Sequence, residues 1–453
     1  MFRTMTAVAA CLVLAVTGCT AAVDQPRPAP TPTPTGPPIY QGPELPRLVT
    51  EEVPVDPRVW VREAYGPVVR TGTETVVVRG GGGAEGGAGF SVLDLRTGRQ
   101  LWSSADLPER VEVPGIGRVG ASSSEVRAAD DGGGGILVAS YYQNPCPDKA
   151  QPCPDNRPGM TEGKGLLTFS VADRRLLWSA PLLPPVPGNT PVAEENRWRF
   201  PKVVAATAKA VVVNIGADPG DGTRYLPGRP PPMTLALDPA SGRRLWEVQG
   251  VLTQQVVDDL ALGIAAPTDS ANPPVPVALD LGTGIERWRL PAAEAGDWVE
   301  VTPGLGLLRR RDFSTNRATT PRLVSLPGGE VGAELPQDEI FVGLGSGSDG
   351  VPYATWIESV PGSRGYAVRS QGFRDAQPRT GATRVDGLGS VVGVARGYAW
   401  QTLGAPENGV TAIDRTGSVR SDPLPGFPRY VDDELLVTGG PGGPPRIWRH
   451  RPG

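Results

Sequence analysis

The stretch Ala278–Trp288, ALDLGTGIERW, decides the fold, because its pattern returns along the chain. The pattern is apolar–x–Asp–x–x–(Thr/Ser)–Gly–x–x–x–Trp. It reads VLDLRTGRQLW at Val92–Trp102 and ALDPASGRRLW at Ala236–Trp246. Asp94, Asp238 and Asp280 are each followed by glycine four residues on (Gly98, Gly242, Gly284). Tryptophan comes eight residues on (Trp102, Trp246, Trp288). A repeated unit must be one supersecondary element stacked on its neighbours. Worn copies extend the series. Thr168–Trp178 keeps Trp178 but has Ser170 and Arg174 at the Asp and Gly places. Leu323–Ala333 keeps Gly329 but ends in Ala333. Ala412–Ser421 keeps Asp414 and Gly417, is one residue short, and lacks the Trp.

The chemistry of the phrase is that of a turn between two strands. Alternating apolar residues before the Asp make a strand. The carboxylate accepts from amides of the following turn, and glycine supplies a positive φ. The next strand then carries the Trp to a flank where it packs on the neighbouring unit. Upstream runs such as Glu74–Arg79, Lys209–Asn214, Asp259–Ile264 and Glu434–Thr438 read as a second strand. Trp246 and Trp288 stand 42 residues apart, the length of four short antiparallel strands. Strand pairs of this kind between Thr73 and Arg449 predict eight blades, with seven as the alternative. The worn copies read as blades that tolerate loss of docking.

These repeats resemble those of the PQQ-like (quinoprotein-type) β-propellers. The docking motif of that family is matched position for position by Ala236, Asp238, Gly242 and Trp246, and by Ala278, Asp280, Gly284 and Trp288. The resemblance covers most of the chain after about Val59. It implies an all-β propeller of four-stranded antiparallel blades, and the BamB-like, non-catalytic lipoprotein branch fits best. The family's dehydrogenases carry a vicinal Cys pair, a calcium cage and a catalytic Asp, and this chain has no Cys-Cys. The expectation is therefore no catalytic residue, no metal and no cofactor. A PQQ- and calcium-dependent dehydrogenase, or a glycan-active propeller enzyme, is the alternative.

Residues 1–18 read as a lipoprotein signal peptide: Met1-Phe2-Arg3, then the apolar run Ala7–Val16, which is too short to span a bilayer. Val16-Thr17-Gly18-Cys19 resembles a lipobox, so Cys19 is the expected lipidation (palmitate) site. Two or more acyl chains give stable anchoring. Residues 19–46 form a Pro/Thr-rich tether containing PAPTPTPTGPP, and 47–453 the propeller. Of 4 cysteines, Cys11 leaves with the signal peptide, and Cys146 and Cys153 pair as a disulfide in an oxidising compartment. The expected location is the extracytoplasmic face of the cell membrane, with an envelope protein or peptide as partner and the chain itself monomeric.

Other signals exclude more than they assign. A formal charge of −4 without a basic stripe argues against nucleic acid. The single histidine, His450, removes His-based triads and His metal sites. Glycine (60) and proline (51) together make about a quarter of the residues, spread between apolar runs as many tight turns require. Gly80–Gly89 and Gly132–Gly135 lack the Gly-Lys-Ser/Thr of a phosphate loop. Gly345–Gly350 fits G-x-G-x-x-G but leads into a strand, so it reads as a hairpin tip. The acidic sets Asp130-Asp131, Asp218 with Asp221, Asp258-Asp259 and Asp432-Asp433-Glu434 lack EF-hand spacing.

Overall fold

The structure is a computed structural model. It describes residues 38–453 except 56–67, 72–74, 82–87, 104–105, 107–110, 114–116, 130–134, 144–162, 185, 187–189, 193–195, 197–198, 217–230, 267–272, 313–316, 319, 337–341, 348, 361–364, 386–389, 405–408 and 440–444. Pro38–Gly453 forms one compact unit. Its strands make eight antiparallel sheets, taken here as blades 1 to 8 in chain order. The blades begin with the strands Val68–Thr71, Gly117–Ala129, Phe200–Ala206, Val251–Val257, Gly296–Thr302, Gly343–Ser346, Val391–Ala395 and Phe427–Val431. Each first strand touches the first strands of both neighbouring blades, round a closed circuit. The result is an eight-bladed propeller, as the repeat predicts.

Blades 2 and 5 carry one short extra strand each, Val111–Val113 and Arg317–Ala318. Blade 8 is completed from the other end of the chain. Leu48–Val53 is its outer strand and pairs with Arg446–Pro452 from Leu48↔Pro452 to Val53↔Ile447. This closure ties the C-terminal strand to residues some 400 positions away and leaves the ring without a gap.

The motif turns explain why these residues stop one strand and start the next. In blade 4 the Gly284 N–H donates to Asp280 O at 2.8 Å and the Asp280 N–H to Ile285 O at 2.8 Å. Asp280 Oδ1 accepts from the amides of Gly282 and Thr283 at 3.1 and 2.9 Å. Gly284 sits at φ +72°, where an L side chain is strained. Asp238 and Asp94 repeat the arrangement, with Gly242 and Gly98 at φ +68° and +64°. The worn copy in blade 2 keeps the same geometry with other residues. The Ser170 hydroxyl accepts from the Asp173 amide at 3.0 Å, and Arg174 adopts φ +59°.

Register then places the tryptophans. Trp102, Trp178, Trp246 and Trp288 pair with Val92, Thr168, Ala236 and Ala278, and each outer strand shifts register immediately beyond. Every one of these indoles donates to a backbone carbonyl in the next blade: Val171, Pro239, Leu281 and Leu326, at 2.8–2.9 Å. Those carbonyls belong to the residue after the motif Asp or Ser. A Cβ built on Gly242, Gly284 or Gly329 would lie 2.5–2.7 Å from the ring of Trp178, Trp246 or Trp288. The glycine thus has two tasks, a positive φ and a bare face for the neighbour's indole.

The other four seams correct the reading of worn copies as tolerated losses, because each lost Trp is replaced. Between blades 5 and 6, Phe373 of blade 6 packs on Gly332, beside the Ala333 that stands where Trp would be. Between blades 6 and 7, the Thr383 N–H donates to Thr416 O at 2.8 Å, and Gly417 lies against the Thr383 carbonyl. Between blades 8 and 1, Arg449 donates to Leu95 O at 3.2 Å, and Gly98 abuts Pro54. Between blades 7 and 8, Leu45 and Leu48 join Tyr398, Trp400, Leu424, Leu436 and Trp448 in one apolar cluster. Residues 38–46, which the sequence reading assigns to the tether, are therefore packed along blades 6 and 7.

Candidate functional site

The topology sorts the connections onto two faces. Turns between first and second strands, and between third and fourth, meet at one end of the ring. They are short: Asp258 turns at φ +51°, Asp432 Oδ1 accepts from Glu434 and Leu435 amides, and Gly347–Val351 closes the hairpin that continues into Pro352–Ser359. Gly345–Gly350 is thus a hairpin tip, as its sequence context predicts. The motif aspartates lie on this turn face, and their oxygens serve turn amides. In Asp280, the Arg287 guanidinium and then the Thr283 hydroxyl hold the carboxyl down at about 2. Asp94 and Asp238 are also lowered.

The opposite face receives the long connections. The second and third strands of blade 2 part at Gln143 and rejoin at Gly163, and those of blade 3 part at Gly216 and rejoin at Met233. These two long excursions of the sequence therefore leave from the same end of the ring. Cys146 and Cys153 lie within the first, outside the described residues. Cys19, Asp130-Asp131, Asp218 and Asp221 are outside the described residues too. This loop face also carries an ionic quartet on blade 5. Glu294, from the short 3-10 turn Ala292–Glu294 that leads into the blade, approaches Arg310 and Arg322 at 3.7 and 3.4 Å. Arg310 and Arg322 share Glu334, the former at 3.0 Å. Two cations and two anions cancel, so the quartet braces the loop ends and leaves no net charge for a ligand.

At the axis, the inner edge of the first strands outside blade 2, whose first strand pairs in part with Val111–Val113, has no partner strand among the described residues, which leaves amides and carbonyls to be satisfied. At blades 5 and 6, side chains from the preceding blade do this. Gln254 of blade 4 accepts from the Trp298 amide at 2.8 Å and donates to Asp297 at 2.9 Å. Gln255 reaches Val299 O at 3.5 Å, and Glu300 of blade 5 accepts from the Leu344 amide of blade 6 at 3.2 Å. Gln254 and Val299 are bulge positions, and so are Val204, Val392 and Arg429 in other first strands. The bulge turns the following side chain towards the next blade. Glu300 is mostly buried with one amide partner in view, and burial pushes its carboxyl up to about 7. Lys202 and Asp297 stand at equivalent first-strand positions of blades 3 and 5.

Sequence reasoning found the docking residues and missed the axial ones. Glu300 and Gln254 lie in short strands with no motif. Their only sequence signal is a polar residue inside an apolar run. His450 is buried against Trp400, with ring centroids 5.1 Å apart, and burial lowers its pKa. Its place is in the packing between blades 7 and 8. Among the described residues no group of three or more His, Cys, Asp or Glu is placed to hold a metal ion. Among them, too, no helix is long and apolar enough to cross a membrane.

No protein-family model matches the chain, and no curated sequence does. Solved structures do. The quinohemoprotein alcohol dehydrogenases of Pseudomonas putida HK5 and Comamonas testosteroni align at TM-scores of 0.41 and 0.42, each with 11% identity. They cover 92% and 90% of this chain, and 78% and 76% of theirs. The β-propeller domain of the trilobed protease from Pyrococcus furiosus aligns at 0.39 with 10% identity, over 79% of this chain and 98% of its own. Likeness at this level carries no argument about activity, and the architecture stands on the eight sheets and their seams.

Proposed function

We propose that this chain is a membrane-anchored extracytoplasmic lipoprotein whose propeller is a protein-binding scaffold of the bacterial cell envelope. The observation that carries the reading is the division of labour between the faces. The repeat's carboxylates are spent on turns at one end, and the two long excursions leave from the other. A ring from one end of which two long excursions leave suits recognition of a protein or peptide. The lipobox-like Val16–Cys19 and the Pro/Thr-rich segment after it support the anchoring part.

Site-specific photo-crosslinking in cells tests the scaffold. Probes at Val192 and Phe427, exposed near the loop face, are expected to capture an envelope protein. Probes at Ile285 and Val351, exposed on the turn face, are expected to capture none. Equal capture from both faces, or none from either, refutes the reading. Cys19→Ala is expected to move the protein out of the membrane fraction, and unchanged fractionation defeats the anchor. A saturable thermal shift with added PQQ and calcium would replace the scaffold with the quinoprotein alternative.

A further inference from the structure

We propose that residues 38–48 are a releasable clasp. They hold the seams of blades 6, 7 and 8 shut in place of the missing tryptophans, and can come away while blades 1 to 5 stay docked. The clasp differs from the ordinary closing strand, Leu48–Val53, because it lies ahead of it and crosses the rims of two other blades. At blade 6, Ile39 makes a parallel bridge to Thr380, with the Tyr40 N–H donating to Thr380 O and the Thr380 N–H to Pro38 O, both at 2.8 Å. At blade 7, the Leu45 N–H donates to Asp414 Oδ2 at 3.1 Å, and Glu44 pairs with Arg420 at 2.7 Å. The Arg415 guanidinium lies against both the Tyr40 ring, at 4.3 Å, and the Tyr353 ring, at 4.2 Å. The Tyr398 hydroxyl donates to Pro46 O at 3.0 Å, the Leu48 N–H donates to Arg420 O at 2.7 Å, and Arg47 pairs with Asp422.

The character of these attachments makes the clasp the weak closure. The Trp seams use indoles, buried at three of the four, each with a hydrogen bond to the next blade's backbone. Apart from Leu45 and Leu48 in their apolar cluster, the clasp uses backbone bridges and ion pairs whose outer partners are about two-thirds or more exposed: Glu44 at 66%, Arg47 at 68%, Asp422 at 77%. Such pairs hold loosely and are screened by salt. Asp414 is different, being 1% exposed and bonded to Thr416, Ser418 and Arg420 as well as Leu45. It stays satisfied when the clasp leaves, so the blade 7 turn is already built without it. The clasp also follows directly on residues 1–37, so a load on the N-terminal segment reaches the Ile39–Thr380 bridge before the closing strand Leu48–Val53. This inference holds whether or not Cys19 is acylated.

Hydrogen exchange by mass spectrometry on the full chain, kept in detergent, tests the clasp. Tyr40→Ala combined with Glu44→Ala is expected to speed exchange about tenfold in 379–385, 398–402 and 410–424. Exchange in 211–216 and 261–265, the second strands of blades 3 and 4, should not change. Raising salt on the unmodified chain should act in the same direction and on the same segments. A second pair, Ile39→Cys with Thr380→Cys, locks the bridge when oxidised. It should slow exchange in those segments relative to its reduced form, with the unmodified chain under the same reductant as control. Exchange that changes evenly over all blades, or not at all in either pair, overturns the clasp.

Discussion

Replacing Gly284 by alanine separates the two tasks that the motif glycine performs, because Gly250 supplies the control. Both glycines sit in the same backbone region, Gly284 at φ +72° and Gly250 at φ +74°. A Cβ on Gly250 meets nothing within 4 Å, whereas one on Gly284 lies 2.7 Å from Cδ2 and 2.9 Å from Cε3 and Cγ of Trp246. The left-handed conformation costs alanine about 1–2 kcal/mol, partly offset by the stiffer unfolded chain, so Gly250→Ala should cost about 1 kcal/mol. Gly284→Ala carries the same strain and must also push the indole back by nearly 1 Å to reach an ordinary carbon–carbon distance of about 3.5 Å. Trp246 is 7% exposed and its Nε1 donates to Leu281 O at 2.8 Å, so the ring has little room. Overpacking adds about 1–3 kcal/mol and loss of the indole bond about 1 more, giving roughly 3–5 kcal/mol in total. Urea denaturation of both variants should therefore separate their midpoints, at unchanged slope, by an amount worth about 2–4 kcal/mol. In a Trp246→Ala background the extra cost should vanish. Equal midpoints for the two variants, or a full extra cost retained without the indole, would refute the reasoning.

Two further perturbations test neighbouring parts of the account. Arg174 occupies the glycine place at φ +59°, so Arg174→Gly should stabilise the protein by about 0.5–1 kcal/mol in the same assay; a loss of stability would show that the arginine itself braces the seam. Glu300 has its carboxyl raised to about 7 from 4.5, so the folded state binds more protons than the unfolded chain between those values. Stability from this group is fully present below about pH 4.5 and is lost as pH rises towards and through 7. Glu300→Gln keeps the acceptor for the Leu344 amide and removes the charge. Its stability relative to the unmodified chain should rise by about 2–3 kcal/mol between pH 4.5 and pH 8, and a pH-independent difference would refute the assignment.

What the sequence discloses about this fold follows from where each interaction's partners lie in the chain. The turn phrase is local. Asp280, Gly284 and Trp288 carry the strand, the turn and the docking residue within eleven positions, so they repeat legibly, and the eight sheets follow. Ser170 and Arg174 hide the same turn because a hydroxyl and a strained backbone replace carboxylate and glycine without changing its shape. The substitutes for lost tryptophans could not be read, since no common residue type marks them: Phe373, Arg449, a backbone amide and a leucine pair fill equivalent gaps. The clasp was least legible of all. Leu45 and Asp414 are 369 positions apart, and Tyr40, Glu44 and Leu45 sit in a proline-rich run whose composition suggests a spacer. At the axis, Gln254 and Glu300 satisfy backbone groups of the next blade, and no pattern within one strand reveals such a partner.

The eight seams show which requirement of blade docking is strict. At seven of them a donor reaches a backbone carbonyl, or a ring covers a glycine: indoles at four, Phe373 over Gly332, the Thr383 amide, and the Arg449 guanidinium. Leaving such a carbonyl buried and unpaired costs about 1–3 kcal/mol, which is the same wherever it occurs in the ring. Tryptophan meets that need and the apolar one with a single side chain, which is why it recurs. Where it is absent, a ring, a backbone amide or a guanidinium does part of that work. The seam between blades 7 and 8 is the exception, because blade 8 has no third-to-fourth turn of its own: its outer strand arrives from Leu48–Val53. No turn carbonyl is offered there, so a Trp on blade 7 would have nothing to bind. Ser421 at that position instead turns inward to the Ala412 amide at 2.9 Å. The missing Trp and the arrival of the N-terminal segment are thus consequences of one closure, and the chain is most open to rearrangement where that closure was made.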